Sequence, residues 1–194
     1  MVTRKAAEPQ VIELPRMDIQ RFQITLIGDS PLICHAWSKK AKQAMLDKQM
    51  KKAKAARDAK DPEQEYRESL YYCEDGRYGF PAVAFKSAAV DACSHVDGLT
   101  KVGARGAFHI VGDMVPIEGE PTMREDMVRI GMGTADIRYR GEFRQWQATL
   151  EVRYNAAMFS PEQIVNLFNT AGFAIGIGEW RPQKDGSFGM FHVA

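Results

Sequence analysis

The sequence predicts a mixed α+β domain, and three local patterns support that prediction. Residues 145–154 alternate strictly between apolar and polar side chains, which is typical of a half-buried strand. Residues 18–27 alternate in the same way from Arg21 onward. Residues 160–171 combine a serine N-cap, a proline at the first helical position and an apolar face, and therefore predict a helix.

The other elements follow from turn and helix signals. Residues 71–80 predict a hairpin that turns at Asp75-Gly76. Pro81 opens a predicted helix over 82–95, and residues 108–117 look like a strand. A short strand is expected at the end of the sequence. With two inserted segments set aside, the order is β-α-β-β-α-β, which is the ferredoxin-like order shared by RRM domains. We therefore expect an antiparallel sheet with one open face, the face that RRM domains use for single-stranded RNA.

Composition excludes several classes of protein without identifying a partner. The chain has 194 residues, of which 45% are apolar and 26% charged, and its net charge is +1. We expect residues 1–17 to form a flexible arm and residues 18–194 a single domain. No apolar run approaches the length of a membrane span, so no membrane partner is expected.

The cysteines indicate a reduced, cytoplasmic setting. Cys34, Cys73 and Cys93 are far apart and form no CxxC pair, so neither a zinc site nor a disulfide framework is predicted. No metal and no cofactor is expected.

The first insertion, at about 38–70, begins with a strongly basic segment. Residues 38–60 contain nine Lys or Arg against two acids, and good helix formers dominate. Apolar positions are sparse, so we predict an exposed helix that contacts phosphates. The alternative is a solvated helix whose charge only maintains solubility. The candidate nucleic-acid-binding residues here are Lys39, Lys40, Lys42, Lys51, Lys52 and Lys54.

The second insertion, at about 118–144, is rich in arginine and predicts a β-arm hinged at Gly131-Met132-Gly133. Arginines interleaved with an aromatic residue are typical of grooves that hold a single strand. A long surface hairpin with ordinary charges is the alternative. The candidate binding residues of this arm are Arg129, Met132, Arg138, Tyr139 and Arg140.

Two further segments could contact phosphates. The glycine-rich loop over 176–189 could hold a phosphate on backbone N–H groups, with Gly178, Arg181 and Lys184 as candidates. Lys86, near the start of the second predicted helix, could meet another phosphate. The alternatives are a loop needed for packing and an exposed helix lysine.

No catalytic motif is recognisable, although His35 and Asp29 are the residues that an enzyme would use. Both follow the first strand, and histidine can act as an acid or base near neutral pH. His35 lies in a partly apolar stretch, which favours a structural histidine. The Ser-His-Asp triad, the Walker loop and the dinucleotide fingerprint are all absent.

Two stretches carry a family resemblance. Residues 176–191, Gly-Ile-Gly-Glu-Trp-Arg-Pro-Gln-Lys-Asp-Gly-Ser-Phe-Gly-Met-Phe, resemble the glycine-rich loop of the RAMP superfamily of CRISPR-associated proteins. Residues 78–88, Tyr-Gly-Phe-Pro-Ala-Val-Ala-Phe-Lys-Ser-Ala, resemble the RAMP stretch in which a strand ends in proline and a helix follows. The Cas7 branch fits best, because its members carry an early basic insertion and a later hinged arm. A small phage-borne or mobile-element relative is equally compatible.

The resemblance implies a non-catalytic protein that self-assembles into a helical filament along RNA or single-stranded DNA. In Cas7-like proteins each copy holds a few nucleotides by their backbone, and an arm reaches over the neighbouring copy. Two alternatives remain open at this point. One is a Cas6-like, metal-independent endoribonuclease that uses His35. The other is a structural protein that binds a CRISPR-type complex of other subunits.

Overall fold

The computed structural model describes residues 16–52, 59–130 and 133–194. The helices and strands have the following bounds. The strands are β1 Ile19–Gly28, β2 Leu32–Cys34, β3 Tyr71–Tyr72, β4 Tyr78–Pro81, β5 Phe108–Ile110, β6 Met114–Pro116, β7 Pro121–Ile130, β8 Thr134–Phe143, β9 Gln147–Asn155 and β10 Phe191–Val193. The helices are α1 Lys39–Gln49, α2 Pro62–Ser69, α3 Ala82–Ala92, α4 Lys101–Ala107 and α5 Pro161–Ala174. None of these helices is both long and apolar enough to cross a membrane.

A four-stranded antiparallel sheet forms the centre of the fold, in the spatial order β10-β1-β9-β5. Along the chain, the four strands of this sheet and the helices α3 and α5 follow the order β1-α3-β5-β9-α5-β10. This is the β-α-β-β-α-β order predicted from the sequence, and the mixed α+β class is confirmed.

The alternation of apolar and polar side chains along β1 and β9 explains which face of the sheet is buried. Leu26 of β1 and Leu150 of β9 are fully buried, whereas their neighbours Thr25 and Thr149 face outward and contact each other. Helices α3 and α5 pack on the buried side of the sheet, so the core lies between the sheet and these two helices. The aromatic rings of the core meet edge to face.

The other face of the central sheet is open and polar. Arg21 pairs with Glu151 across β1 and β9 at 2.9 Å, and Arg153 lies beside them. The outward positions of the four strands carry no Phe, Tyr or Trp. The aromatic rings at these outward positions are the imidazoles of His109 in β5 and His192 in β10.

Two smaller sheets complete the strand inventory. The arginine-rich arm forms a hairpin of β7 and β8, ten residues each, and β2 extends it into the order β2-β8-β7. The hairpin predicted over 71–80 is confirmed, with Gly76 at φ 84° in its turn. It joins β6 to give the order β3-β4-β6. Gly131 and Met132 lie outside the described residues, so the hinge stays a prediction.

The predicted basic helix over 38–60 is wrong in its extent. The helix α1 ends at Gln49, and Lys51 adopts a left-handed conformation with φ 55°. Asp61-Pro62 does not merely break a helix, because the side chain of Asp61 caps α2 and Pro62 occupies its first position. Residues 53–58 and most of the predicted N-terminal arm, residues 1–15, lie outside the described part of the chain.

Two further segments differ from prediction. Gly98, Gly103 and Gly106 predict a loop, but the stretch after Gly98 is a helix, α4, because Thr100 caps it at 3.1 Å and two alanines bury its inner side. The single strand predicted over 108–117 is two strands in different sheets, β5 and β6, separated at Gly112 with φ 87°.

Gly172, which the sequence suggests as the stop of α5, lies inside that helix. The helix ends two residues later, and Gly176 takes the left-handed position with φ 67°. The N–H of Gly176 donates to the carbonyl of Ala171 at 2.8 Å, which satisfies one of the terminal carbonyl groups.

Candidate binding groove

A groove of about 310 Å³ lies between α3 and the segment 175–183 that follows α5. We call it the α3 groove. Pro81, Val83 and Ile177 contribute apolar walls, and Val83 is 67% exposed although the sequence placed it on the apolar face of its helix. The polar groups that line the groove are His35, Tyr71, Ser87, Asp91, Glu179, Arg181 and Gln183.

The glycines of the 176–189 loop set the position of the groove wall. At Gly178, with φ 78°, a β-carbon would lie 2.6 Å from the carbonyl oxygen of Ile33 in β2. The next N–H, that of Glu179, donates to the same carbonyl at 3.1 Å. Glycine at 178 therefore lets the loop approach β2 closely enough to bring Glu179 into the α3 groove.

Most backbone N–H groups of this loop are already used inside the protein. Ile177 donates to Gly189 at 3.0 Å, and Phe188 donates to Trp180 at 3.1 Å. Close packing of the loop therefore explains why most of its glycines are needed. A loop needed for packing was the alternative to a loop that holds a phosphate. The N–H of Gly178 has no partner within the described structure, so a contact of Gly178 with a strand stays a prediction.

A charged cluster lies at one end of the α3 groove. The Nδ1 atom of His35 is 3.3 Å from Oε1 of Glu179 and 3.5 Å from Nη2 of Arg140. The hydroxyl of Tyr71 donates to the carbonyl oxygen of His35 at 3.3 Å. The hydrogen bond from His35, followed by the positive charges of Arg140 and Arg181, lowers the pKa of Glu179 below its ordinary value. Glu179 is therefore a carboxylate at neutral pH.

Sequence analysis assigned no role to Glu179. The one available signal is that Glu179 is the only acid between Gly176 and Pro182 in a glycine-rich segment. Its partners His35 and Arg140 are more than a hundred positions and about forty positions away, respectively, so only the folded chain shows the contact.

Arg181 is the guanidinium that the α3 groove presents directly. Its Nη1 donates to the carbonyl of Gly178 at 3.1 Å and its Nε to Gln183 at 3.2 Å, and the side chain stays partly exposed. Lys184 follows as an exposed side chain on the same loop. Both predicted candidates therefore lie at or next to the groove, where cationic groups can meet phosphates.

Helix α1 begins shortly after His35, so the basic helix starts next to the α3 groove. None of its described side chains is buried, and Lys42 is exposed. Lys51 and Lys52, which follow it, are also exposed, and Lys52 bonds Asp47 at 3.0 Å. Lys54 and the side chains of Lys39 and Lys40 lie outside the described residues.

The predicted clamp residues of the arm fall into two groups. Arg140 is 5% exposed, and its Nη1 lies 3.3 Å from Asp126. Arg138 pairs with Asp136 at 2.9 Å. Arg129, in contrast, is exposed near the tip of the hairpin.

Two members of the predicted clamp remain. Tyr139 is half-buried, and it lies opposite Glu125 in the strand register. Met132 lies outside the described residues. A contact of these clamp residues with nucleic acid stays a prediction.

The remaining candidates lie away from the α3 groove lining. Lys86 donates to the carbonyl of Arg105 at 3.1 Å and lies 2.9 Å from Nδ1 of His109. Asp29 pairs with His192 at 2.6 Å, so it is not the partner of His35. Within the described residues, no three His, Cys, Asp or Glu side chains form a group that could hold a metal ion.

Comparison with solved structures gives distant structural similarities. No protein-family model matches the sequence, and no curated protein matches it. The crystal structure of Cmr6 from Pyrococcus furiosus is similar with a TM-score of 0.44 and 8% identity, over 92% of this chain and 100% of that chain. Similarity at this level supports no conclusion about the function of this chain.

Proposed function

We propose that this chain binds a single strand of nucleic acid, RNA or single-stranded DNA, in the α3 groove and along helix α1. In this proposal the ferredoxin-like core is of the RAMP type, and copies assemble along the strand as Cas7-like backbone subunits do. The observation that supports it most is the position of a basic helix without a buried face next to a groove lined by an arginine.

Helix α1 gains little stability from packing. It has 11 residues, none of its described side chains is buried, and isolated helices of this length are marginal in water. Its charged residues are Lys39, Lys40, Lys42 and Lys48 against Asp47. Such a helix suits contact with a polyanion, where each lysine that neutralises a phosphate releases counterions.

The charge balance of the chain fits assembly of copies along a strand. The net charge is +1 although α1 and the segment after it are strongly basic, so acidic surfaces lie elsewhere. Glu63 and Glu68 on α2 are at least partly exposed. We propose that such acids meet the basic segment of the next copy, which would align neighbouring copies on one strand.

Fluorescence anisotropy with labelled single-stranded RNA, single-stranded DNA and duplex DNA of about 30 nucleotides tests the proposal. Measured at about 50 mM and about 200 mM salt, single strands should bind and lose affinity as salt rises. Electron micrographs of the same samples should show filaments or arcs. No binding of a single strand at low salt contradicts the proposal, and a search for a protein partner would then follow.

A matched pair of variants locates the binding surface. Lys42→Gln with Lys48→Gln removes two charges from α1, and Arg21→Gln with Arg153→Gln removes two from the open sheet face. The α1 variant should reduce the slope of log affinity against log salt by about 1.4, from about 0.7 per phosphate contact on a single strand. The sheet variant should leave the slope unchanged. Equal effects of both variants would remove α1 from the proposal.

A second candidate function has one specific observation in its favour. The contact between His35 and Glu179 places an imidazole beside a carboxylate in a groove, which is a pairing that general acid–base catalysis uses. Incubation of structured RNA with the protein and a metal chelator tests for a metal-independent endoribonuclease. Cleavage that disappears in His35→Ala would establish it, and intact RNA after long incubation would exclude it.

A further inference from the structure

We propose that the α3 groove holds one base of the bound strand against Glu179 and favours bases that carry an amino group, so that cytosine and adenine are preferred over uracil. This inference rests on the proposed function, because it names which part of the strand enters the same groove. It adds a base preference to binding that otherwise depends on phosphates alone.

The size and walls of the α3 groove suit a single base. Its volume of about 310 Å³ is at the lower end of the range for small-molecule sites. Pro81, Val83 and Ala84 present apolar surface on which a flat ring can lie. Val83 is 67% exposed in the unbound chain, so a base there would cover an apolar side chain that the fold leaves uncovered.

The charge of Glu179 argues against a phosphate at this end of the groove. Glu179 is a carboxylate, and a phosphate close to it would be repelled. Arg181 is the cationic group that lines the groove and stays partly exposed, whereas Arg140 beside His35 is 5% exposed and paired with Asp126. A strand whose backbone contacts Arg181 would therefore turn a base, and not a phosphate, toward Glu179.

Glu179 can distinguish bases by their hydrogen-bond donors. A carboxylate only accepts hydrogen bonds, and Oε1 already contacts His35. The side chain of Glu179 is 41% exposed, and no hydrogen bond to Oε2 is formed among the described residues. Amino groups of cytosine and adenine donate to such an oxygen. Uracil instead presents its O4 carbonyl oxygen in place of the cytosine amino group, which the carboxylate repels, and keeps only its N3–H as a donor on that edge.

Short homopolymers provide the test. Anisotropy is measured with labelled oligo(rC), oligo(rA) and oligo(rU) of about 12 nucleotides, a length within the usual single-strand site size. The comparison of cytosine with uracil decides the outcome, because both are single-ring bases and differ little in stacking. We expect oligo(rC) to bind at least about tenfold more tightly than oligo(rU), as one hydrogen bond to a charged acceptor would give.

Glu179→Gln should abolish this preference, since an amide side chain can both accept and donate. The control is Glu162→Gln, because Glu162 is an exposed acid at the start of α5 and does not line the α3 groove. It should keep the preference of the parent chain. Thermal melting of each variant verifies that it is folded.

The possible outcomes separate the two proposals. Equal binding of oligo(rC) and oligo(rU) by the parent chain, or an unchanged preference in Glu179→Gln, would overturn the base preference while leaving strand binding intact. Failure of all three homopolymers to bind at low salt would instead contradict the proposed function itself.

Discussion

Gly172 of α5 lies directly against the backbone of Phe191 in β10. A β-carbon at position 172 would overlap the carbonyl oxygen of Phe191, and nothing short of moving the helix or the strand would relieve the contact. Phe191 is buried and its ring contacts Trp146 at a centroid distance of 6.2 Å, which holds the strand against the core. The close approach lets a short final strand join the edge of the central sheet.

Gly172→Ala should therefore destabilise the chain by about 2 kcal/mol or more, as overpacking of a tight core does. The matched control is Gly106→Ala in α4, where a β-carbon would have no heavy atom within 4 Å. That change should leave stability unchanged or raise it by up to about 1 kcal/mol, because alanine is the better helix former. Denaturant unfolding of both variants measures the difference, and similar free energies of unfolding would contradict the packing role of Gly172.

The elements that the sequence predicts well are those whose pattern is local. The alternation of residues 145–154, which forms β9, and the capping box at Ser160 each depend on neighbours within a few positions, and both are present in the structure. The helix α4 was missed because two glycines outweighed a weak cap signal at Thr100. Burial of Ala104, which stabilises that helix, comes from tertiary packing that no local pattern shows.

The candidate site was predictable only in part, since its chemistry depends on pairs that are distant in sequence. Lysines of the basic segment and Arg181 could be chosen from charge and motif alone. The partners Asp126 for Arg140 and Glu179 for His35 are set by strand register and loop packing, which form only in the folded chain. The acids of the arginine-rich segment are visible in the sequence, but only the structure shows which of them pair with its arginines, as Asp126 and Glu142 do with Arg124.

The three thiols should differ in reactivity. Burial raises the pKa of Cys34 to about 12, and Cys93 is also buried, whereas Cys73 is partly exposed in its hairpin. Because the thiolate is the reactive form, alkylation of the native chain should modify Cys73 first and spare Cys34 until the chain unfolds. Mass spectrometry of tryptic peptides over time measures this order. Labelling of Cys34 as fast as Cys73 would contradict the buried position of β2.

Glu179 should make the stability of the fold depend on acid pH. Its hydrogen bond with His35 lowers its pKa in the folded chain below the ordinary value of 4.5, so the unfolded chain binds the proton more tightly. The stabilisation is fully present above about pH 4.5 and is lost as pH falls through the lowered pKa of the folded state. Glu179→Gln should thus lose less stability than the parent chain between about pH 6 and about pH 3. Denaturant unfolding at both values measures the slopes, and identical slopes would show that the contact with His35 does not form in solution.

Arg129 and Arg140 lie on the same hairpin, but the structure gives them different surroundings. Arg140 is 5% exposed and pairs with Asp126, and its Nε has no hydrogen-bond partner in the described structure. Removing its charge leaves Asp126 with Arg124, which lies 2.8 Å away. Arg140→Gln should consequently lower the free energy of unfolding by about 2 kcal/mol, because one partner of a buried ion pair is lost.

Arg129→Gln should leave stability unchanged, since Arg129 is exposed. If the hairpin contacts the strand, this change should reduce the slope of log affinity against log salt by about 0.7. Arg140→Gln should keep the parent slope once affinity is corrected for the folded fraction, because its guanidinium is turned inward. Denaturant unfolding and salt-dependent anisotropy on both variants separate the two roles. If Arg140→Gln reduces the salt slope but keeps the free energy of unfolding of the parent chain, the hairpin rearranges on binding and turns Arg140 toward the strand.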